Sequence, residues 1–412
     1  MSLTSAASGE NYRNWWPHPE MTAFTDYSIG LMEEIAAASG NRIHLTRRGY
    51  ALATRQADPD GLLRQLQHGY GAEGAARIRL HDRADSASYR PALSADWREA
   101  PDGVDVLQDR NLIQRHFPSF DPEIANVVHI RRAGDLSGQQ LGSFMLEQIR
   151  TLGGTLIQDK VIGIERSRRF EIETAGNATI SADALVNAAG PYVAQIASLL
   201  GESLPVETVF QQKTAFPDTE GVIDRRMPFS IDLDGQTIDW TQEERALLAD
   251  DPATRRLTEP MQGAIHCRPD GGERGTWIKL GWAYNTQPSA VTADLPLDPS
   301  FPEIVLRGAS QLNPGLRAYY GRLPARLSHY GGYYTMTREN WPLIGPMRTP
   351  GAYLAGALSG YGTMGACATG ALIAAWVASE PLPAFAKPLS PARYANKDLM
   401  GRLLASENTG VL

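Results

Sequence analysis

The 412-residue sequence predicts an α/β chain, α+β overall, and two patterns carry that prediction. The first is an apolar strand running into a glycine turn and then a helix. It occurs twice, within Ala184–Leu200 and within Tyr353–Ser379. Units of this kind build the Rossmann-like sheets that hold nucleotides at the carboxyl ends of their strands. The second pattern is residues 205–330, richer in Pro, Thr and aromatic residues. There Val206–Phe216, Gly263–His266 and Thr276–Trp282 read as strands of a second, mainly antiparallel domain.

Taken in order, residues 1–20 are polar with an aromatic cluster, Tyr12, Trp15 and Trp16, followed by Pro17 and Pro19. Phe24, Ile29, Met32 and Ile35 fall at helical spacings and predict a helix over 21–39. Arg42–Thr54 alternates enough for a strand pair, and residues 58–125 mix helix and loop. Leu136–Leu152 is amphipathic and stops at Gly153-Gly154. Thr155–Gln158 and Lys160–Arg166 read as short strands. Phe170–Thr174 and Ala178–Ser181 flank Gly176-Asn177 as a hairpin. Ala184–Ala189 is an apolar strand, and Pro191 suits the first turn of the next helix, where a missing N–H costs nothing. Tyr333–Thr335 and Tyr353–Leu358 are strands, Gly360–Gly365 a turn and Ala366–Ser379 a helix. The tail after Pro381 is Pro-rich and wraps the surface.

Composition excludes several classes. With 39 Lys plus Arg against 46 Asp plus Glu, the net charge is −7, without the basic surplus a nucleic-acid partner requires. Two cysteines, Cys267 and Cys367, cannot make a disulfide framework, and no CxxC or HExxH metal spacing occurs. Both observations fit a cytoplasmic setting, and Met1–Gly9 lacks the regions of a signal peptide. No charge falls between Arg348 and Glu380, a stretch long enough for a membrane helix. Pro350 and six glycines interrupt it, so no membrane span is expected.

Gly360-Tyr361-Gly362-Thr363-Met364-Gly365 matches GxGxxG after a strand and before a helix. Glu380 lies where a ribose acid would, yet Pro381 and Pro383 bar the strand that would carry it. What survives is a glycine turn whose helix N-terminus offers bare N–H groups and a positive dipole end to a ligand's negative atom; the alternative is a plain tight turn. Asn187-Ala188-Ala189-Gly190-Pro191 poses the same choice. In one sheet both turns would face one edge. Lys279 stands between Trp277 and Trp282. Alternation gives it a face shared with Trp277 and Gly281, as a partly desolvated cation or as a lysine snorkelling past tryptophans. Arg13 reads as a site cation or an ion-pair partner. Trp15, Trp16 and His18 read as an entrance lining or as packing.

Five segments occur in a telling order: Ser5–Arg13 (SAASGENYR), Asp183–Tyr192 (DALVNAAGPY), Trp277–Trp282 (WIKLGW), Gly331–Pro346 (GGYYTMTRENWPLIGP) and Gly351–Gly370 (GAYLAGALSGYGTMGACATG). Together they resemble the FAD-dependent amine and amino-acid oxidases of the D-amino acid oxidase superfamily, nearest the monomeric sarcosine oxidase and glycine oxidase branch. The resemblance implies a discontinuous FAD-binding domain, 1–48, 127–204 and 331–412, and a substrate-binding domain, 49–126 and 205–330. It implies that Ser8, Gly9, Glu10 and Asn11 run along the cofactor, that Val161 meets the adenine, and that Ala189 and Gly190 flank the dinucleotide. Gly360, Tyr361, Gly362, Thr363 and Met364 match the loop facing the flavin pyrimidine. Arg13 matches an arginine that arranges the reacting amine, and Lys279 a lysine over the ring that promotes electron transfer to oxygen.

Three departures qualify that implication. The family's opening strand–GxGxxG–helix–strand unit has no counterpart ahead of Ser5, so FAD affinity is expected to suffer. Gly332 stands where the sarcosine oxidase branch carries its flavin-linked cysteine, so FAD is expected to bind noncovalently. Met364 stands where that branch has a carboxylate-binding lysine, and Tyr333 and Tyr334 where relatives have an arginine. Arg322 and Arg326 are the nearest cations in sequence. The expected function is oxidation of a C–N bond of an amine or amino acid by hydride transfer to flavin, with O2 as acceptor. The alternatives are a dehydrogenase using another acceptor and a non-catalytic, flavin-poor scaffold.

Overall fold

The structure, a computed structural model, describes residues 3–85, 87–92, 96–252, 254–272, 274–405 and 410. Its strands are β1 (Asn11–Arg13), β2 (Tyr50–Thr54), β3 (Ile78–His81), β4 (Val104–Leu107), β5 (Asn126–Ile130), β6 (Ala133–Asp135), β7 (Val161–Arg166), β8 (Phe170–Thr174), β9 (Thr179–Ala182), β10 (Leu185–Asn187), β11 (Glu207–Pro217), β12 (Phe229–Asp232), β13 (Ile265–Asp270), β14 (Trp277–Gly281), β15 (Ser328–Met336), β16 (Leu343–Pro346) and β17 (Ala352–Gly356). The helices used below are α1 (Leu3–Ala6), α2 (Pro19–Ala38), α3 (Gly138–Thr151), α4 (Val193–Leu199), α5 (Phe301–Leu312) and α6 (Gly362–Ala378).

Nine strands form one sheet in the order β15-β11-β14-β13-β12-β2-β5-β4-β3. Only the β12–β2 and β3–β4 pairs are parallel. The alternation read from the sequence holds along β14. Ile278 and Leu280 enter the core beneath α5, and Trp277 and Lys279 face the other way, into a cavity. Phe301, Ile304, Val305, Ala309 and Leu312 of α5 form the stripe that covers this face. Gly308 lets the helix approach: a Cβ there would lie 2.5 Å from Ile265 Cδ1 and 2.9 Å from Trp282 Cζ3.

A smaller sheet runs β10-β17-β16, with β10 and β17 parallel and β16 antiparallel to β17. Helix α6 follows β17 and crosses α2 closely, because a Cβ on Gly365 would already be 2.9 Å from Phe24 Cε1. A meander of β7, β8 and β9 forms a third sheet that shares a core with the smaller one, and β1 pairs with β6.

Five sequence expectations change, the first because residues 58–125, read as helix and loop, also hold β3 and β4 of the large sheet. Arg42–Leu45 is not a strand: Asn41 and His44 hold φ of 59° and 52°, which break extension while Ile43 and Leu45 bury under the helices. Thr155–Gln158 is not a strand either; no partner pairs with it among the described residues, and Leu156 and Ile157 stay more than half exposed. The β15 strand extends well beyond Tyr333–Thr335, since nine residues pair continuously with β11. Helix α6 starts at Gly362 instead of Ala366, because the turn glycines join its first turn. Within the charge-free stretch lie β17, the turn and α6. Among the described residues no helix is long and apolar enough to cross a membrane. Cys267 and Cys367 are free and buried.

Candidate functional site

The parallel pairing of β10 with β17 brings the two glycine turns to one sheet edge. Gly190 has φ 57° and no neighbour near its Cβ position, so glycine is needed there for its backbone alone. Asn187 Nδ2 donates to Val193 O at 2.8 Å and ties that turn to α4. Beyond β17, Ala357 and Ser359 take φ of 56° and 44°, an uncommon conformation for residues with a Cβ. This bend aims the α6 N-terminus, whose Gly362, Thr363 and Met364 amides have no backbone acceptor among the described residues.

Ser8–Asn11 crosses in front of that N-terminus. Ser8 Oγ is 2.7 Å from Thr363 Oγ1 and accepts from the Glu10 amide at 2.9 Å. Glu10 has φ 61°, and its Oε1 accepts from the Gly138 amide, at the N-terminus of α3, at 2.9 Å. Two helix N-termini therefore converge on Ser8–Glu10. Asn11 Oδ1 is buried without a hydrogen-bond partner among the described residues.

Three of the cavities that touch this segment adjoin one another across it. On one side a cavity of about 700 Å³ is lined by Glu10, Asp270, Trp277, Lys279, Tyr330 and Gly332. Lys279 Nζ lies 3.6 Å from Asp270 and 3.9 Å from Glu10. Burial, and then the neighbouring Arg268 guanidinium, lower its pKa against the pull of those carboxylates. On the other side a cavity of about 310 Å³ is lined by Arg13, Trp16, Tyr50, Lys213, His266 and Tyr334, among others. Between them only about 50 Å³ remains, where α1 passes between Gly332 and Gly360–Thr363.

Arg13 is buried; its Nε donates to Trp15 O at 3.0 Å and Nη2 to Gly410 O at 3.1 Å. Its guanidinium also lies over Trp16 and Tyr50, at 4.8 and 5.6 Å from the ring centroids. His266 packs on Phe229, and burial followed by the Lys213 charge holds its pKa down at about 3.

The structure thus brings Ser8, Gly9, Glu10, Asn11, Arg13, Lys279, Gly360, Tyr361, Gly362, Thr363 and Met364 to the walls of adjoining cavities. Ala189 and Gly190 lie at the same sheet edge but line none of the three. Val161 lies on the meander. Trp16 lines the Arg13 cavity, whereas Trp15 is core and His18 packs on Trp341. Arg326 sits over Trp277, and Arg322 donates to Ala318 O. The sequence reading missed Lys213, although it had named Tyr334, the residue Lys213 meets. The available signal was a lone lysine inside the strand-forming run Val206–Phe216.

A family profile described as FAD dependent oxidoreductase matches residues 2–376. No curated protein matches by sequence. Among solved structures, glycine oxidase from Geobacillus kaustophilus is similar with TM-score 0.68 and 17% identity, covering 94% of this chain and 88% of that one. L-proline dehydrogenase from P. horikoshii gives 0.70 and 16%, covering 96% and 88%. Iminodiacetate oxidase from Chelativorans sp. BNC1 gives 0.65 and 18%, covering 94% and 89%. At such identities these likenesses speak for the fold; the family profile, spanning nine-tenths of the sequence, goes further. The chain belongs to the family of FAD-dependent oxidoreductases.

Proposed function

We propose that the chain oxidises the C–N bond of an amine or amino acid, with noncovalently held FAD as electron acceptor and O2 as final oxidant, in the cytoplasm. The observation that carries this reading is the convergence of free α6 amides and the buried Lys279 ammonium on the two sides of Ser8–Glu10. When bound, FAD supplies the two-electron sink for C–N oxidation.

The donor set suits such a group. Amides of Gly362–Met364 and the helix dipole favour negative charge at a ring edge, and the unpartnered Asn11 Oδ1 is an acceptor in want of a donor. Gly332 offers no side chain for a covalent link. Space is the obstacle. Thr4 Oγ1 donates to Tyr333 O at 2.8 Å and accepts from its amide at 3.1 Å. A Cβ on Gly332 would lie 3.1 Å from Thr4 Cα. A planar ring enters this slot only when Leu3–Ala7 moves. That obstruction favours, as second reading, a flavin-poor protein of the same fold.

In the first reading Arg13, Trp16 and Tyr50 wall the amine side and exclude water, Lys279 holds a fixed positive charge for the reaction with oxygen, and residues 49–126 with 205–330 form the substrate domain. The test is a visible spectrum of purified protein with added FAD, followed by amine-dependent bleaching without oxygen. A protein that stays colourless refutes the enzyme reading. Lys279→Met should slow reoxidation by about 100-fold, the scale for losing one preorganised charge; an unchanged rate removes Lys279 from that role.

A further inference from the structure

We propose that Lys213 anchors a carboxylate in the cavity shared by Arg13, Tyr50 and Tyr334, which makes the substrate an amino or imino acid instead of a simple amine. The inference deepens the oxidoreductase reading of this site and rests on it for the word substrate; the anion site itself stands on the following geometry.

Lys213 is 5% exposed. Its register partner on β14 is Gly281, over which the His266 ring lies, and its Cε reaches to within 3.6 Å of where a Gly9 Cβ would lie. Nζ donates to Tyr334 Oη at 3.1 Å and lies over that ring at 5.3 Å from the centroid. An ammonium carries three donors. Among the described residues Lys213 makes one side-chain hydrogen bond and no ion pair. A charge kept from water without a counter-ion is costly, so the site is completed by an anion from outside.

The groups around it leave that role open. Glu10 turns its carboxylate to Gly138 N and Lys279. Arg13 is committed to two backbone carbonyls and two aromatic faces. His266 is neutral above about pH 3. Glu207 is exposed among the lining residues. Among the described residues Lys213 is the cation of this cavity with donors to spare, and with an acid at the rim it suits a monoanion better than a dianion such as a phosphate ester. The volume of about 310 Å³ suits a molecule of amino-acid size. Cavity position also matters: Tyr334 packs against Gly360, 2.6 Å from the Cβ an alanine there would carry. The anchored acid would therefore lie beside the turn that meets the cofactor.

The test titrates the full chain with monocarboxylates from acetate to benzoate, and with the matching primary amides, following tryptophan fluorescence because Trp16 lines the cavity. Wild type should prefer acid over amide by at least tenfold. Lys213→Met should abolish the preference, Lys213→Arg should keep it, and Tyr334→Phe should keep it with several-fold weaker binding. Equal binding of acids and amides to wild type overturns the proposal, as does a preference that survives Lys213→Met. A loss of FAD affinity in Lys213→Met with the acid preference intact assigns the charge to the cofactor and also overturns it. FAD binding is read separately by the flavin absorbance. An acid preference in a protein that takes up no flavin leaves the anchor standing while the redox reading falls.

Discussion

His129 makes this protein acid-labile in a calculable way. The residue lies on β5, 1% exposed, with Nε2 2.9 Å from Arg48 O and Nδ1 3.1 Å from Tyr89 Oη. A carbonyl only accepts, so Nε2 carries the proton and Nδ1 accepts from the Tyr89 hydroxyl. Burial, with the Arg131 guanidinium next, holds its pKa at about 3 against the ordinary 6.5. The unfolded chain therefore binds a proton that the folded one refuses. Stability is fully present above pH 6.5 and is lost as pH falls towards 3, at about 1.4 kcal/mol per pH unit and about 5 kcal/mol in all. The urea midpoint, converted to free energy at pH 7.5, 6 and 5, should fall by about 1 kcal/mol between the last two from this residue alone. His266, held low by burial and by nearby cations, adds to that slope. His129→Gln should cost about 1–2 kcal/mol at pH 7.5 through its hydrogen bonds and should flatten the acid slope by the His129 share. Equal slopes in the variant and wild type between pH 6 and 5 would refute the assignment of a neutral, proton-refusing His129.

Glu339 and Arg393 form an ion pair at 2.5 Å with side chains 2% and 0% exposed, tying the C-terminal segment to the approach to β16. Glu339→Gln should lower stability by about 3 kcal/mol, because a buried guanidinium loses its counter-charge; a shift below 1 kcal/mol in urea unfolding counts against that tie. Gly360→Ala should push Tyr334 aside, at about 1–3 kcal/mol for overpacking, and weaken acid binding at Lys213; unchanged melting and affinity would mean the turn yields instead. Thr4→Ala removes both hydrogen bonds that pin α1 to Tyr333, worth about 1–2 kcal/mol, so FAD should bind at least several-fold tighter in a fluorescence-quenching titration. An unchanged Kd shows that α1 does not limit access.

The strand–turn–helix units were legible because each is local: apolar runs ending in Gly190-Pro191 and in Gly360–Gly365 specify strand, bend and helix within one short stretch of chain. The alternation that set Lys279 on a cavity face was legible for the same reason. What escaped was pairing. Nothing in Thr155–Gln158 says that no neighbour will accept it as a strand, and nothing in Tyr333–Thr335 says that β11 will extend it to nine residues. Lys213 escaped because its meaning lies in what is missing around it, and only the packed chain shows that Glu10 points elsewhere. Arg322 and Arg326, chosen by nearness in sequence, are committed outside the cavity.

The two cavities differ in charge balance, and that difference orders their roles. On the Lys279 side, Arg268 and Lys279 face Asp270, Glu10 and, at 3.9 Å from Arg268, Asp135. That cluster is self-compensated, so its positive end persists without a ligand and can act on charge that appears only during reaction. On the Lys213 side the positive charge has no acid of its own among the described residues, so its energy falls when an anion arrives. A preorganised charge that needs nothing suits chemistry; an uncompensated one suits binding. Ser8–Asn11 separates the two, and Glu10, at φ 61°, turns its carboxylate to the Gly138 amide and Lys279. Turning that single side chain towards Lys213 would neutralise the binding cation and strip the opposite cluster of an acid, so the hold of the Gly138 amide and Lys279 on the Glu10 carboxylate keeps the two roles apart.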